Sequence, residues 1–432
     1  MINGRFTAAE AADLLGVKPA TLYAYVSRGL LERQKDGKAS TFDPRDVARL
    51  SRSGRTRSDA PRSKGPSGFR TTIPAETQPS EPLFVTQLTL IQDGRFYFRG
   101  LDAVELSRQR TFEEVASWLW NGQWPQPPAD GERVEPWLTP PAARAAVEAA
   151  LRGAHEGARP LERFAIAVVV AALSDDFRHD LSPAAVPVIG RGLIALLSET
   201  LDARGREGRS RDSSPAERRS IAGRTWECLS DLPPTGSRVS LLDAALVLSA
   251  DHELAPSTMA ARVAASFRAD AYAVVSTGLG PASGSWAAGS TGAPSEVEAM
   301  LEDCLEVGPE RAVGERLRRT GSVPHGFGMP LYPDGDPRGA ELLSRLGEVG
   351  GPAEKHEVVD RVLAIASERG FPPPNVDLGL GALSFCAGMP PESGQAIATL
   401  AKIAGWLAHA LEEYADPSRF RSRAYYVGPR PA

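Results

Sequence analysis

The chain has 432 residues, too many for one compact unit, so two or three domains are expected. Its 42% hydrophobic and 24% charged content is ordinary for a globular protein, and the lack of any run of about 18 apolar residues excludes a membrane span. The N-terminus lacks the pattern of a secretory signal, and three widely separated cysteines favour the cytoplasm over a disulfide framework or a zinc site.

The charge of the chain is unevenly distributed. Residues 1–70 hold 14 Lys and Arg against 7 Asp and Glu, a net charge of +7. The remaining residues hold 35 against 47, a net charge of −12. A basic N-terminal part on an acidic body predicts an anionic partner for the former, and a nucleic acid backbone is the usual one.

The N-terminal part reads as two short helices joined by a tight turn. Residues 6–16 predict the first helix, with Thr7 as its N-cap and Glu10 as the capping-box partner. A Gly-Val turn follows, and the stretch KPATLYAYVSRGLL predicts the second helix, with Pro19 near its first turn. The segment GKASTFDPRDVARL then fits a small β-wing and a closing helix.

The second helix carries the candidate DNA contacts. Leu22 and Val26 are expected to face inward, whereas four side chains are of types that reach phosphates or base edges: Tyr23, Tyr25, Ser27 and Arg28. The segment resembles the winged helix-turn-helix of the MerR/excisionase type, which implies a DNA-binding domain over residues 1–53. A docking module that has lost its nucleic acid is the alternative. Residues 54–82, rich in Ser, Arg, Pro and Gly, predict a flexible basic linker.

The body is predicted to be mainly helical. LTLIQDGRFYFRG, residues 88–100, suggests a hairpin around its Asp-Gly pair. Apolar spacing near 3.6 residues, interrupted by Gly or Pro, predicts helices over 112–122, 140–153, 160–174, 188–204, 215–230, 238–250, 255–277, 295–307, 339–349, 354–369 and 393–414.

Four stretches carry residues suited to chemistry. SADHELAPST contains His252 between two carboxylates at the start of a helix, and GLGPASGSWAAGSTG is a Gly-, Ala- and Ser-rich stretch. HGFGMPLYPDGDPR ends with Arg338, whose forked cation suits carboxylates. Asp377 in PNVDLGLGAL lies ahead of a helix; it is either an N-cap or, where apolar neighbours raise its pKa, a general base.

Together these motifs resemble the citrate synthase family from about residue 83 onward. They occur in the order expected of that family: LTLIQDGRFYFRG, SADHELAPST, GFGMPLYPDGDPR, NVDLGLGAL and KIAGWLAHALEEY. The resemblance implies a helical dimer whose subunits have a large domain, about 83–270 and 375–432, and a small domain, about 271–374. It also implies condensation of an acyl-CoA with oxaloacetate or a related 2-oxo acid, with no metal and no permanently bound cofactor.

The resemblance assigns roles to individual residues. Asp377 corresponds to the catalytic base, whereas His252 and Arg338 correspond to residues that hold the 2-oxo acid. Arg421 is placed like the arginine that reaches across the dimer. The loop Gly326, Phe327 and Gly328 corresponds to the backbone that meets the CoA adenine.

Three positions depart from the pattern of the family. Ser283 stands where the family has the histidine that helps to enolise the thioester, and Met329 stands where it has the histidine that follows GFG. Lys402 stands where a substrate-binding arginine is expected. Because a thioether cannot donate a hydrogen bond and a hydroxyl is a weak acid, the condensation is predicted to be impaired or absent.

Two further readings stay open. One is a DNA-bound sensor of metabolites, and the other is a non-catalytic partner of an active paralogue. The chain is expected to form a homodimer or a heterodimer. Its expected ligands are acyl-CoA and a dicarboxylate. Thioester hydrolysis that uses Asp377 alone is a third possibility, without positive support in the residues.

Overall fold

A computed structural model describes residues 5–15, 17–27, 30–36, 39–43, 46–47, 84–125, 136–154, 157–201, 220–284, 293–418 and 420. These divide into two compact units, one within 1–86 and 420–432 and the other within 87–419. Arg28, Arg421 and the predicted linker 54–82 lie outside the described residues. In the part of the chain that is described, no helix is long and apolar enough to cross a membrane.

The N-terminal unit contains a helix pair beside a small sheet. Its elements are β1 Phe6–Thr7, α1 Ala8–Leu14, α2 Pro19–Ser27, β2 Arg33–Asp36 and β3 Ala39–Phe42, with the antiparallel strand order β1-β3-β2. The predicted capping box is confirmed, because the backbone N–H of Thr7 donates to Glu10 Oε2 at 2.7 Å and that of Glu10 donates to Thr7 Oγ1 at 3.3 Å.

One candidate DNA contact is corrected by the packing of this unit. Tyr25 is only 7% exposed and belongs to the apolar core with Leu22 and Phe42, whereas Tyr23 is 40% exposed. Positions 22 and 25 lie three residues apart and therefore share one face of α2. The sequence predicts Leu22 and Val26 on the inner face of α2 and Tyr25 on its outer face. Tyr25 is instead a core residue.

The second unit begins with the predicted hairpin. Strands β4 Thr89–Gln92 and β5 Arg95–Phe98 pair antiparallel, and β6 Leu101–Asp102 adds a third strand. The connecting Asp93 and Gly94 both have positive φ, 52° and 71°. Two left-handed residues are what a two-residue hairpin of type I′ requires, and the Asp-Gly pair supplies them.

The rest of the unit is helical, as predicted. The helices are α3 Ala103–Gln109, α4 Phe112–Asn121, α5 Pro141–Arg152, α6 Pro160–Leu173, α7 Ala185–Thr200, α8 Ile221–Leu229, α9 Gly236–Ser249, α10 Pro256–Ser266, α11 Ala271–Ala282, α12 Ala293–Val307, α13 Pro309–Thr320, α14 Pro337–Ser344, α15 Ala353–Glu368, α16 Val376–Cys386 and α17 Ser393–Ala415. A short 3₁₀ turn, Leu346–Val349, follows α14.

The structure differs from the predicted helices in two respects. The single helix predicted over 255–277 is two helices, because Arg268 adopts a positive φ of 59° and Asp270 caps α11 by accepting from the N–H of Ala273 at 3.0 Å. Helices α3 and α13 were not predicted. Helix α3 has only 7 residues, too few to show a period. Helix α13 has 12 residues but is mostly charged and polar, with Ala312 and Val313 as its buried residues, so it has few apolar positions from which to predict a helix.

Helix α17 is the centre of the body and positions the site. It is 23 residues long, is buried on most faces, and packs against helices that include α9, α10, α11 and α16. Gly405 brings its backbone against the turn after α9, where the N–H of Gly405 donates to Ala250 O at 2.9 Å. A Cβ at residue 405 would fall inside contact distance of Ala250 and Asp251. The absence of a side chain therefore allows the two segments to meet.

Candidate functional site

A cleft in the second unit brings together five of the seven residues predicted for catalysis and substrate binding. It encloses about 540 Å³ free of protein atoms, part of it open to solvent. Its walls come from the segment after α9, the loop before α14, the start of α14, and helices α16 and α17. The lining residues are Ser249, His252, Ala255, Met329, Asp336, Arg338, Asn375, Val376, Asp377, Leu380, Ala398 and Lys402.

His252 is buried in this cleft as a neutral imidazole. It is 8% exposed, and its Nε2 lies 2.7 Å from the hydroxyl oxygen of Tyr332. Burial lowers the pKa of His252 well below its usual value, and the nearby cations Arg338 and Lys402 lower it further. The ring is therefore uncharged at neutral pH and can act only as a hydrogen-bonding group.

Arg338 is held in place by one carboxylate. Its Nε and Nη2 donate to Oδ1 and Oδ2 of Asp336 at 2.9 and 2.8 Å, and its guanidinium lies 5.5 Å from the ring centre of Tyr332. Asp336 also accepts from the backbone N–H of Arg338 and of Val376. Among the described residues Nη1 has no hydrogen-bond partner, so one edge of the fork stays available to a ligand.

Asp377 lies in the first turn of α16 but is not its N-cap. Asn375 caps the helix instead, because its Oδ1 accepts from the N–H of Asp377 at 3.0 Å and of Leu378 at 3.3 Å. Burial raises the pKa of Asp377 to about 6, while the positive charges of Arg338 and Lys402 limit the rise. A carboxyl group with this pKa can both accept and donate a proton near neutral pH.

Lys402 projects from α17 into the same cleft. Within the described residues its amine has no hydrogen bond and no ion pair, although the side chain is partly buried. Burial lowers the pKa of Lys402 to about 8; the charge of Asp377 opposes this shift and that of Arg338 adds to it. The cleft thus has two cations that can meet a ligand, Arg338 through one edge of its guanidinium and Lys402 through its amine.

The glycine loop before α14 forms a second cleft. Gly326 and Gly328 have positive φ values of 97° and 78°, and the loop is joined to the segment before α16 by Gly328 N–H donating to Pro373 O at 2.8 Å. The side-chain amide of Asn375 adds a bond to Gly328 O at 2.9 Å. Phe327 packs edge-to-face on Phe371. These contacts make the loop rigid.

The two clefts are adjacent and share lining residues. The second encloses about 1250 Å³ free of protein atoms, again partly open, and is lined by residues 252–256 and 323–331 with Asn375 and Asp377. His252, Met329 and Asp377 line both clefts. His325 lines only the second. Met329 therefore stands where a ligand in one cleft would meet a ligand in the other.

Ser283 is not brought to this site. It is the exposed C-cap of α11, its Oγ donates to Gly280 O at 2.8 Å, and it lines a separate cleft with Arg159, Glu162 and Gln395. The following residues, 285–292, lie outside the described part of the chain, as does Arg421.

A buried polar chain lies behind the site and was not predicted. Arg262 donates through Nη1 to His409 Nδ1 at 3.0 Å and pairs with Glu413 at 2.6 Å. Since a guanidinium can only donate, Nδ1 of His409 accepts this bond, and Nε2 of His409 lies 3.3 Å from Asp251 Oδ2, within hydrogen-bond distance. Thr89 Oγ1 also donates to Asp251. Asp251, the residue next to His252, is thereby held by both Thr89 and His409.

Tyr332, Asp336 and Asn375 are further site residues that the sequence reading missed. Asn375 carries the best signal, because it precedes a helix and asparagine is a favoured N-cap. Asp336 stands two residues before the arginine that it holds, in DGDPR. Tyr332 gives no local sign of its role, since its contact with His252 joins positions 80 residues apart.

Comparison with known proteins agrees with the motifs. Residues 80–423 match the family model of the citrate synthase C-terminal domain, and residues 5–55 match a model of a helix-turn-helix domain. The chain therefore belongs to the citrate synthase family and carries an N-terminal helix-turn-helix domain. Both resemblances inferred from the sequence are confirmed at this level.

The similar proteins cover nearly the whole body. Citrate synthase 2 of Bacillus subtilis is 28% identical over 361 residues, which cover 80% of this chain and 93% of the relative. Citrate synthase of Haloferax volcanii is 30% identical over 352 residues, 78% of this chain and 90% of the relative. A 2-methylcitrate synthase of Mycobacterium tuberculosis is 25% identical over 350 residues, 78% and 86% of the two chains.

Solved structures share the fold. Citrate synthase from Thermotoga maritima superposes with a TM-score of 0.63 at 24% identity, covering 81% of this chain and 94% of the other. Citrate synthase from Thermoplasma acidophilum, in a ternary complex with carboxymethyl coenzyme A and oxaloacetate, gives 0.64 at 21% identity, covering 81% and 95%. The predicted mainly helical, citrate synthase-like fold is thus confirmed.

Proposed function

We propose that the body binds a 2-oxo dicarboxylate in the cleft of Arg338 and Lys402 and an acyl-CoA in the cleft of the glycine loop. The structure from Thermoplasma acidophilum holds oxaloacetate and a CoA derivative, which supports this pair of ligand classes. Arg338 with one free edge and the unpaired amine of Lys402 suit the carboxylates of the first ligand. His252, a neutral imidazole, suits a polar but uncharged contact.

We propose further that condensation is impaired, and Met329 is the observation that carries this proposal. Condensation needs a base that removes a proton from the acyl group and a donor that stabilises the negative charge then formed. Asp377, with its pKa near 6, fits the base. Met329 lines both clefts beside it and has no proton to donate. The loss of one such donor costs on the order of 10²–10³ in rate.

The test is a thiol-release assay beside a binding titration. Purified protein is mixed with acetyl-CoA or propionyl-CoA together with oxaloacetate, and calorimetry follows each ligand alone. We expect heat of binding with turnover orders of magnitude below the usual enzyme range of about 1–10³ s⁻¹. A turnover inside that range would refute the impairment. No heat with millimolar dicarboxylate would refute the binding site.

We also propose that the body pairs with a second copy through an apolar surface. Val169 and Leu173 are 53% and 75% exposed and lie one turn apart on α6. Phe177 follows at 81%. Arg178 pairs with Asp270 at 4.0 Å, which holds this loop against the segment that contains Phe267, 67% exposed. Exposed apolar side chains grouped in this way are typical of an interface. Pairing of this surface with a chain of different sequence is the alternative, and the mass of the purified protein in solution distinguishes the two.

A second candidate function is DNA binding by the N-terminal domain. The match to a helix-turn-helix model, the net charge of +7 in residues 1–70 and the exposed positions of Tyr23 and Ser27 on α2 favour it. Selection from random duplexes should enrich a two-fold symmetric sequence, and Arg28→Ala should weaken binding. Binding that is indifferent to sequence and vanishes at physiological salt would refute specific recognition.

A further inference from the structure

Lysine is rare in this chain, and one of its few lysines lies in the cleft. The chain has six lysines among its 49 Lys and Arg residues: Lys18, Lys35, Lys38, Lys64, Lys355 and Lys402. Only the last two belong to the body. A chain that uses arginine for nearly all its cations therefore presents a primary amine at this one ligand-lining position. Unlike a guanidinium, an amine can lose its proton and become a nucleophile.

The surroundings of the two body lysines differ. Lys355 is tied down, because its Nζ donates to Phe385 O at 2.9 Å and to Glu302 Oε1 at 3.3 Å. Lys402 lines the cleft with no hydrogen bond or ion pair to any described residue. Its amine is therefore not committed to a structural contact.

The surroundings of Lys402 raise the share of its neutral amine. Burial lowers the pKa of Lys402 to about 8, and the like charge of Arg338 contributes to the shift. Roughly a tenth of the amine is then unprotonated at pH 7, a much larger share than for an exposed lysine. Desolvation beside another cation is a known way to activate a lysine as a nucleophile toward carbonyl compounds.

We propose that Lys402 forms an imine with the keto carbon of a 2-oxo acid bound in this cleft, with Asp377 as the group that delivers and recovers the proton. The proposal rests on the proposed function, because it requires the 2-oxo acid to bind there. Arg338 and His252, which line the same cleft from other segments, supply the contacts that would hold the acid while its keto group faces the amine.

The step balances as a condensation with loss of water. The lone pair of Lys402 Nζ forms a bond to the keto carbon, and the carbonyl oxygen takes a proton. One amine proton is passed on, and the resulting carbinolamine expels its hydroxyl as water after protonation by Asp377. The product is a protonated C=N bond, and one proton is consumed overall. No oxidant or reductant takes part, and addition of water reverses the step.

The experiment traps the imine by reduction. Full-length protein is incubated with oxaloacetate, sodium cyanoborohydride is added, and the digested protein is analysed by mass spectrometry. We expect one adduct, on Lys402, with the mass of oxaloacetate minus water plus two hydrogens. Malate has no keto group and should give none. Lys355→Arg should leave the yield unchanged, whereas Lys402→Arg should abolish the adduct because a guanidinium is not nucleophilic.

Calorimetry on the same samples separates the two proposals. If malate and oxaloacetate bind but no adduct forms on Lys402, the imine is refuted and the binding function stands. If neither binds, the proposed function itself has failed. Malate binding by Lys402→Arg reports that the cleft of this variant is folded. Adducts spread equally over Lys355 and the N-terminal lysines would also overturn the proposal, since they would reflect unselective amination.

Discussion

At the scale of single residues, the proposed impairment of condensation depends on Met329. Met329 lines both clefts, and in the proposed condensation the negative charge that develops beside it would need a donor. The identity of this residue is readable from the sequence, but its position on both clefts is not. The proposed impairment therefore makes Met329 the first residue to substitute.

Met329→His should raise thiol release with acetyl-CoA and oxaloacetate by about 10²-fold, because it restores one donor at the charge that develops. Met329→Leu, which changes the side chain without adding a donor, should give no such rise. The comparison is made by initial rates at saturating ligands. If the histidine variant binds both ligands and stays as slow as the wild type, Met329 is not the residue that limits the rate.

Two titrating residues predict how dicarboxylate binding depends on pH. Asp377, with a pKa near 6, becomes negative as the pH rises, and Lys402, with a pKa near 8, loses its positive charge. Both changes disfavour an anion. The dissociation constant of malate should therefore increase by about tenfold or more, which means weaker binding, between about pH 5.5 and about pH 9.

Two variants assign the two changes in malate affinity, the lower one near pH 6 and the upper one near pH 8, to Asp377 and Lys402. Lys402→Arg should remove the upper step, since a guanidinium keeps its charge, and Asp377→Asn should remove the lower step. Calorimetry across this pH range provides the measurement. Binding that strengthens toward high pH would contradict the assignment of both groups.

At the scale of elements, a buried glutamate joins three helices around the site. Glu298 of α12 is 6% exposed and accepts from Ser384 Oγ of α16 at 2.6 Å and from the N–H of Gly394 in α17 at 2.7 Å. The N–H of Glu392 adds a third bond at 2.6 Å. Burial raises the pKa of Glu298 to about 7, although these donors oppose the rise.

This raised pKa predicts a pH-dependent stability. A carboxyl group that holds its proton more tightly when folded stabilises the fold below its ordinary pKa of 4.5, and this contribution is lost as the pH rises through about 7. The stability advantage of the wild type over Glu298→Gln, which does not titrate, should shrink by about 2 kcal/mol from pH 5 to pH 8. Denaturant unfolding at both pH values measures it.

The control is Glu306→Gln, which changes an exposed glutamate on the same helix. Its stability difference from the wild type should be the same at both pH values. If Glu298→Gln behaves in the same way, Glu298 is not protonated in the folded protein near neutral pH.

At the scale of the whole molecule, the exposed apolar surface on α6 predicts assembly. Leu173→Arg should convert a dimer into a monomer, because a charge in the middle of an apolar interface cannot be paired. Since Leu173 is 75% exposed, the fold itself should lose little stability. Val307→Arg, a similar change at an exposed residue at the end of α12, should leave the mass unchanged.

Light scattering at micromolar concentration provides the mass. A wild-type monomer would remove the self-pairing proposal, and with it the predicted role of Arg421 in a neighbouring cleft. A dimer that Leu173→Arg leaves intact would place the interface on another surface.

The sequence by itself determined the features that depend on neighbours along the chain. The Asp-Gly hairpin and the capping box of Thr7 and Glu10 are local patterns, since each depends on residues within a few positions. Each motif that marks the family is also a short stretch, and the order of the motifs is read directly along the chain. The sequence also shows directly that Ser283 and Met329 stand where histidines are expected. The division of the body into large and small domains stays a prediction.

The tertiary structure decided what depends on contacts between distant segments. Asn375 is the N-cap of α16, and Asp377 therefore lines the cleft. Tyr25 is buried, and Ser283 lines a cleft other than that of Asp377. Lys402 has no hydrogen bond or ion pair among the described residues. Burial and electrostatic shifts arise from packing between helices far apart in sequence, such as α14, α16 and α17. A pattern within one helix cannot report these neighbours, and they set the chemistry of Asp377 and Lys402.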